Sequence, residues 1–225
     1  MDLKKGIFHG KPAYWLAILF LAAALLLSLL LAVTIGSVDL SMDDVYRVIL
    51  YKTLGIGDAE VYGSGSMSDI VWYIRLPRLI LAIGIGIALS VSGVVMQAIV
   101  KNPLADPYVL GVSSGASLGA TLAILFGVGA SLGSGYVGIV AFLGAFLVSL
   151  CVIALANIGS RATSVKLILA GTALSSICSA ISNFSLYVIN SSSGAVDAVV
   201  RWTLGSLAGA EWESNMWMLL VAVLG

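Results

Sequence analysis

The stretch that decides the fold is PYVLGVSSGASLGATLAILFGVGASLGSGYVGIVAFLGAFLVSLCVIALANIGS, which runs from Pro107 to Ser160 without a charged residue. A membrane-spanning helix needs about 20 apolar residues to cross a hydrocarbon core of roughly 30 Å. These 54 residues are therefore too many for one helix. The segment from Gly127 to Gly135 is rich in glycine and serine, which favour turns. The stretch predicts two spans, at 111–127 and 136–158, joined by that turn.

Further apolar runs lie on both sides of this stretch. They predict spans at about 14–35, 78–100, 164–189 and from 213 onward. Lipid offers the backbone no hydrogen bonds, so each span has to satisfy its own polar groups, as a helix does. No run shows the alternation that a transmembrane β-strand needs. We expect an all-α polytopic membrane helix bundle with about six spans, forming a single transmembrane domain over residues 1–225.

The composition excludes several other classes of protein. Hydrophobic residues make up 60% of the chain and charged residues 10%, and the formal net charge is zero. A soluble domain carries about 25% charged residues, and a disordered chain needs low hydrophobicity and high net charge. A nucleic-acid-binding protein needs a basic face, which this charge balance does not support. We therefore expect an integral membrane protein without a nucleic-acid partner.

The basic residues suggest how the chain is oriented. Lys4, Lys5 and Lys11 favour a cytoplasmic amino terminus, and the apolar run after them is of span length and lacks a signal-peptide cleavage site. With that orientation, the inner side carries one more basic residue than the outer side. The inner set is Lys4, Lys5, Lys11, Lys101, Arg161 and Lys166, and the outer set is Arg47, Lys52, Arg75, Arg78 and Arg201.

Motifs of catalysis and of cofactor binding are absent from the sequence. It contains no phosphate-binding G-x-x-x-x-G-K-[ST] and no zinc-binding H-E-x-x-H. No nucleophile elbow is found in a strand-to-helix context, and no cluster of histidine, cysteine and carboxylate has metal-ligand spacing. We therefore expect neither an enzyme nor a bound metal or cofactor.

Small residues recur at helical spacing in two predicted spans. Such residues let helices approach closely in lipid, where no hydrophobic effect draws helices together. We predict helix packing at both sets, in a bundle with more than six helices. The first set is Ala82, Gly86, Ser90 and Gly93, and the second is Gly111, Gly115 and Gly119.

The connection between these two spans reads Lys101-Asn-Pro-Leu-Ala-Asp-Pro-Tyr-Val-Leu-Gly-Val-Ser-Ser-Gly115. Its two prolines prevent a continuous helix. The segment is either a simple turn or part of a conduit, because irregular backbone near a membrane is tolerated where protein covers it or where it lines a water-filled path.

Six ordered motifs resemble the iron-siderophore/vitamin B12 ABC permease family. The likeness covers the chain from about residue 15 to its end. The motifs are RLPR at 75–78, ALSVSGVVMQA at 88–98, NPLADP at 102–107, LGVSSGA at 110–116, LAGTAL at 169–174 and RWTLGSL at 201–207.

The resemblance implies a permease of ten spans that contains two inverted repeats. Such a permease works in a prokaryotic plasma membrane as a homodimer, with separate ATPase subunits and an extracytoplasmic substrate-binding protein. The implied activity is import of a metal chelate: a ferric siderophore, haem or a cobalamin. Because this chain ends within the sixth predicted span, we expect a fragment, a truncated gene or half of a split permease.

Three alternatives remain at this point. The first is a permease for an oxyanion such as molybdate. The second is a truncated membrane paralogue without transport activity. The third, an ion-coupled secondary transporter, is disfavoured because the predicted spans carry no mid-membrane ionisable residue.

The resemblance also implies two sets of site residues. Asn102 and Leu104, with Thr163 and Ser164, would line a cytoplasmic gate. Arginines at the positions of Arg75 and Arg78 would receive carboxylates from the docked binding protein, and reversing both charges would abolish docking while the permease still folds. The alternative is that the two arginines only anchor the helix by extending to lipid headgroups.

Overall fold

The computed structural model describes residues 11–36, 38–103, 105–159, 161–189, 194–213 and 216. Helices account for most of these residues, and no strand occurs among them. This confirms the all-α fold class. The α-helices are α1 (Lys11–Thr34), α2 (Met42–Leu54), α3 (Ala59–Tyr62), α4 (Ser66–Asp69), α5 (Leu76–Val100), α6 (Val112–Phe126), α7 (Tyr136–Ala156), α8 (Ser164–Ile189) and α9 (Ala195–Leu204). A π-helix spans Ile70–Arg75, and 3₁₀ turns span Pro107–Leu110 and Ala130–Leu132.

Within the described ranges, four helical segments are long and apolar enough to cross a membrane. They are Ala13–Thr34, Ser66–Val100, Tyr136–Ala156 and Ser164–Ile189. The predicted spans at 14–35, 136–158 and 164–189 therefore coincide with helices. The span predicted at 111–127 is the shorter helix α6, whose 15 residues reach about 22 Å at 1.5 Å per residue. Most of the span predicted from residue 213 onward lies outside the described residues.

The second predicted span begins earlier than expected. We predicted its start at residue 78, but helical structure is continuous from Ser66 through α4 and the π-helix into α5. Asp69, Arg75 and Arg78 interrupt the apolar pattern, and this is why the pattern placed the boundary too late. The wider π-helical turn precedes Pro77, and proline is accepted there without ending the helix.

The chain divides into two compact units. The first comprises residues up to 85 and from 207 onward, and the second comprises residues 86–206. A single transmembrane domain over 1–225 stays a prediction.

In the first unit, α2 is an amphipathic helix. The Ser41 side chain caps its first turn by accepting from the Asp44 amide, and Gly55 ends it in the left-handed conformation with φ of 71°. On its inner face, Val45 and Val48 are fully buried against Val33 and Val71. This core joins the end of α1 to the π-helix.

In the second unit, α6 and α7 approach each other through glycines. A Cβ atom on Gly115 would lie 2.6 Å from the Gly144 carbonyl oxygen, and one on Gly119 would lie 2.5 Å from that of Val140. These distances leave no room for a side chain. The turn between the two helices includes Gly127, Gly129 and Gly133, all with positive φ, in agreement with the predicted glycine-rich break.

Candidate functional site

The Arg75 guanidinium group is enclosed at the end of α1. It donates from Nη1 to the carbonyl oxygens of Val33 and Thr34, at 2.8 and 2.7 Å, and from Nη2 to that of Val38. Only 9% of the residue is exposed. The last carbonyls of a helix have no partner within the helix and carry the negative end of its dipole. Arg75 therefore caps α1 with a full positive charge.

Gly36 provides the space for this cap. A Cβ atom at Gly36 would lie 2.7 Å from Nη2 of Arg75 and 2.9 Å from its Cζ. Any larger residue would have to displace the guanidinium group. Gly36 and Arg75 thus act as a pair, of which the sequence motifs indicate only the arginine.

Arg78 is placed quite differently. It is exposed, and its Nη2 atom donates one long hydrogen bond of 3.3 Å to the Ala208 carbonyl oxygen. A cavity of about 320 Å³ is lined by both arginines and by mostly aliphatic residues from the end of α1, the segment after it, the π-helix and the start of α5. Of the two arginines, Arg78 is the one whose guanidinium group can reach a partner.

This geometry corrects one expectation from the sequence. Reversing both arginine charges cannot be expected to leave the fold intact, because a carboxylate at position 75 would face the three carbonyl oxygens that now accept from Arg75. The two arginines are close in sequence but differ in burial and in partners. Docking is therefore retained as a hypothesis for Arg78 only.

Three of the four residues predicted for the cytoplasmic gate, Asn102, Thr163 and Ser164, lie where two connections meet. The Ser164 hydroxyl, at the first residue of α8, donates to the Val100 carbonyl oxygen at the last residue of α5. Asn102 is half-buried, and its amide donates to the Gln97 carbonyl oxygen at 3.2 Å. The Thr163 hydroxyl accepts from the Lys166 amide at 3.4 Å. Leu104, the fourth predicted residue, lies outside the described residues.

A buried cluster supports this meeting point. It combines residues from the end of α5, the following connection, α7 and the start of α8: Met96, Val100, Ala105, Val152, Ala156 and Leu167. Lys101, next to Val100, has a positive φ of 51°, which is unusual for a residue other than glycine. The backbone here reverses sharply, as its prolines predicted.

A second cavity was not predicted from the sequence. It measures about 390 Å³ and lies between α6, α8 and α9. Hydroxyl, amide and aliphatic side chains line it, and none of them is charged: Ser114, Ser117, Thr121, Ser179, Ser182, Asn183, Leu186, Val199, Val200, Thr203 and Leu204. Ser114, Ser117 and Thr121 recur on one face of α6, but their spacing does not show that α8 and α9 converge on that face.

The hydroxyl groups of this cavity are partly committed to the backbone. Thr121 donates to the Ser117 carbonyl oxygen at 2.7 Å, and Ser114 donates to that of Gly111 at 2.9 Å. Each such hydroxyl keeps acceptor capacity for a ligand. The neutral side chains of the wall can therefore form hydrogen bonds with a large polar molecule, but the named lining residues form no ion pair with it.

The two sets of small residues differ in their surroundings. In the second set, Gly115 and Gly119 contact α7 through Gly144, a partner that the sequence did not reveal. In the first set, a Cβ built on Gly86 or Gly93 meets no other described part of the chain within 4 Å, apart from the neighbouring backbone of its own helix. Ala82 and Ser90, the other two members, are exposed.

Comparison with known proteins gives consistent results. A profile of the FecCD transport family matches residues 24–225. The vitamin B12 import system permease proteins BtuC of Escherichia coli and Shigella boydii are each 38% identical over 153 residues, which is 68% of this chain and 45% of theirs. The chain thus spans about half the length of these relatives.

A solved structure agrees with the sequence matches. It is described provisionally as an inward-facing conformation of a metal-chelate type ABC transporter. It aligns with a TM-score of 0.68 and 28% identity, covering 92% of this chain and 59% of that one. With the profile spanning nearly all of the described residues, the chain belongs to the FecCD transport family.

Proposed function

We propose that the chain is part of the permease subunit of an ABC importer for metal chelates, with a cobalamin as the first candidate cargo. The observation that carries this proposal is the 38% identity to vitamin B12 permeases over 153 residues. The family profile and the fold similarity point to the same class of transporter. Ferric siderophores and haem are the other cargoes within that class.

The uncharged cavity between α6, α8 and α9 supports a chelate as cargo. A bare divalent cation needs carboxylate, carbonyl or imidazole ligands along its path, whereas a chelate brings its own metal ligands. Hydroxyl and aliphatic side chains suit the surface of such a molecule. An oxyanion such as molybdate would instead favour cationic donors, and none occurs among the described residues of the lining.

The proposed assembly follows the family resemblance. Two copies of the complete permease would form the pathway, two ATPase subunits would supply the energy, and an extracytoplasmic binding protein would deliver the cargo. We place the assembly in a prokaryotic plasma membrane with the amino terminus in the cytoplasm. Arg78 then faces the binding protein. The meeting point of Asn102, Thr163 and Ser164 forms the inner gate, with Leu104 as the fourth proposed gate residue.

Arg78 suits the docking role because an exposed guanidinium group binds a carboxylate through two parallel hydrogen bonds. Arg78→Glu should abolish capture of loaded binding protein by the purified permease. Arg47→Glu is the matched control, because Arg47 is also an exposed arginine but already has a carboxylate partner. Its Nε atom lies 2.6 Å from a carboxylate oxygen of Asp43, and this pairing raises the pKa of Arg47. Equal loss of capture in both variants would show a general charge effect and refute a specific role for Arg78.

The cargo is tested by ATPase activity. The permease is purified from the organism that produces it and reconstituted with its ATPase and binding-protein subunits. The complex is then exposed in turn to cyanocobalamin, a ferric hydroxamate, haemin and molybdate. We expect stimulation by cyanocobalamin above the others. Stimulation by molybdate alone would favour the oxyanion permease, and stimulation by none of the four would favour a paralogue without transport activity.

A further inference from the structure

Hydrogen bonds join the segment 207–213 to the π-helix and to the beginning of α5. The Arg78 guanidinium group donates to the Ala208 carbonyl oxygen at 3.3 Å, and the Trp212 indole Nε1 donates to the Trp72 carbonyl oxygen at 2.9 Å. The Trp72 and Trp212 rings also pack together, with centroids 5.3 Å apart. In sequence, this segment connects α9 to the last predicted span.

The Trp72 carbonyl oxygen is available because of Pro77. In the π-helix, each carbonyl accepts from the amide five residues later, as that of Val71 does from Leu76. The corresponding donor for Trp72 would be residue 77, but proline has no N–H. A carbonyl left without a donor in an apolar setting is costly, and the Trp212 indole N–H satisfies it.

The bond from Arg78 is of a different kind. Its acceptor is a neutral carbonyl, its length is near the limit for a hydrogen bond, and its donor is exposed. A carboxylate carries a full negative charge and can accept two parallel hydrogen bonds from a guanidinium group, whereas the carbonyl oxygen accepts one. A carboxylate that arrives at Arg78 therefore competes favourably with the Ala208 carbonyl oxygen.

We propose that residues 207–213 form a latch on the start of α5 and that a carboxylate bound at Arg78 releases its first half, while Trp212 remains as the pivot. The release rests on the docking role proposed for Arg78, whereas the hold by Trp212 does not. Docking of a partner would thereby loosen the connection between α9 and the next predicted span, which these residues form. Pro77 and Trp212 are positioning residues in this arrangement.

The hold is tested on the full-length permease in detergent micelles by NMR of the tryptophan indole protons. Trp212→Phe identifies the Trp212 resonance, because that signal disappears. Pro77→Ala restores a backbone amide that can donate to the Trp72 carbonyl oxygen in place of the Trp212 indole. Hydrogen exchange of the Trp212 indole proton should then accelerate about three- to tenfold, which is the range expected for loss of one net hydrogen bond. Alanine favours a helix more than proline does, and because Pro77 is fully buried, unchanged exchange of the other tryptophan indole protons is required as the control for altered packing. Unchanged indole exchange in Pro77→Ala would overturn the hold.

The release is tested with a hexaglutamate peptide as the carboxylate probe. The Ala210 amide donates to the Leu207 carbonyl oxygen at 3.1 Å and reports on the first half of the latch. Hexaglutamate should accelerate its exchange in the wild type and in Arg47→Gln. In Arg78→Gln the exchange should be faster than in the wild type without the peptide and should not respond to it.

The outcomes separate the latch from docking. If hexaglutamate shifts the Arg78 Nε resonance but leaves Ala210 exchange unchanged, release is overturned and docking stands. If the peptide causes no shift at Arg78, both docking and release are overturned, and the indole measurement alone decides the hold.

Discussion

Replacing Arg75 by methionine separates the two arginines most clearly. Methionine keeps much of the length of the side chain but removes every donor. The carbonyl oxygens of Val33 and Thr34 would lose their partner beside side chains that are only 6% and 8% exposed. The carbonyl oxygen of Val38, whose residue is 44% exposed, would be rehydrated at little cost.

The magnitude follows from these carbonyls. Each buried acceptor left unsatisfied costs about 1–3 kcal/mol, and the apolar methionine stem offsets part of that cost. We expect Arg75→Met to lower the free energy of unfolding by about 3 kcal/mol, which is more than a hundredfold in the folding equilibrium. Arg78→Met, which loses one exposed bond of 3.3 Å, should cost less than about 1 kcal/mol.

The assay is reversible unfolding in mixed micelles of dodecyl sulfate and a mild detergent, combined with a pull-down of loaded binding protein. Arg75→Met should lose stability, and Arg78→Met should keep stability but lose binding-protein affinity. The reasoning fails if Arg75→Met is as stable as the wild type and its only defect is in docking, because Arg75 would then be a docking residue and not a cap.

Three further predictions concern packing, the gate and backbone strain. Gly144→Ala should lower the free energy of unfolding by about 1–3 kcal/mol because its Cβ would overlap the Gly115 backbone, whereas Gly138→Ala on the same helix meets nothing within 4 Å and should be neutral in the same unfolding assay. Leu104→Ala should let cargo leak or uncouple ATP hydrolysis from transport, so unchanged cargo retention and coupling in proteoliposomes would remove Leu104 from the gate. Lys101→Gly should raise the free energy of unfolding by about 1 kcal/mol at most, because the φ of 51° is strained for lysine. A lower free energy of unfolding would show that contacts of the lysine side chain stabilise the protein by more than the strain destabilises it.

Much of the fold follows from the sequence because lipid imposes simple rules. Runs without charge located α1, α7 and α8, and the glycine-rich break separated α6 from α7. The start of the second long helix was missed because Asp69 and Arg75 carry charge, and charge normally ends a span. Arg75 can lie within a continuous helix because its guanidinium group donates to carbonyl oxygens about forty residues earlier in the chain. No local sequence pattern reveals such a contact.

The candidate sites were less predictable, for the same reason. Gly144 lies opposite Gly115 only because α6 and α7 pack side by side, and sequence spacing does not show which glycines will meet. The hydroxyl-lined cavity requires three helices to converge, and each helix alone shows only scattered serines and threonines. The difference between Arg75 and Arg78 depends on where the end of α1 lies.

Uptake of labelled cyanocobalamin into proteoliposomes tests the central claim most directly. The vesicles contain the permease with its ATPase subunits, and the loaded binding protein and ATP are supplied on the sides that the proposed orientation requires. The account predicts accumulation that needs both ATP and the binding protein. Accumulation driven by an ion gradient without ATP, or accumulation of molybdate with none of cyanocobalamin or of another metal chelate, would contradict it.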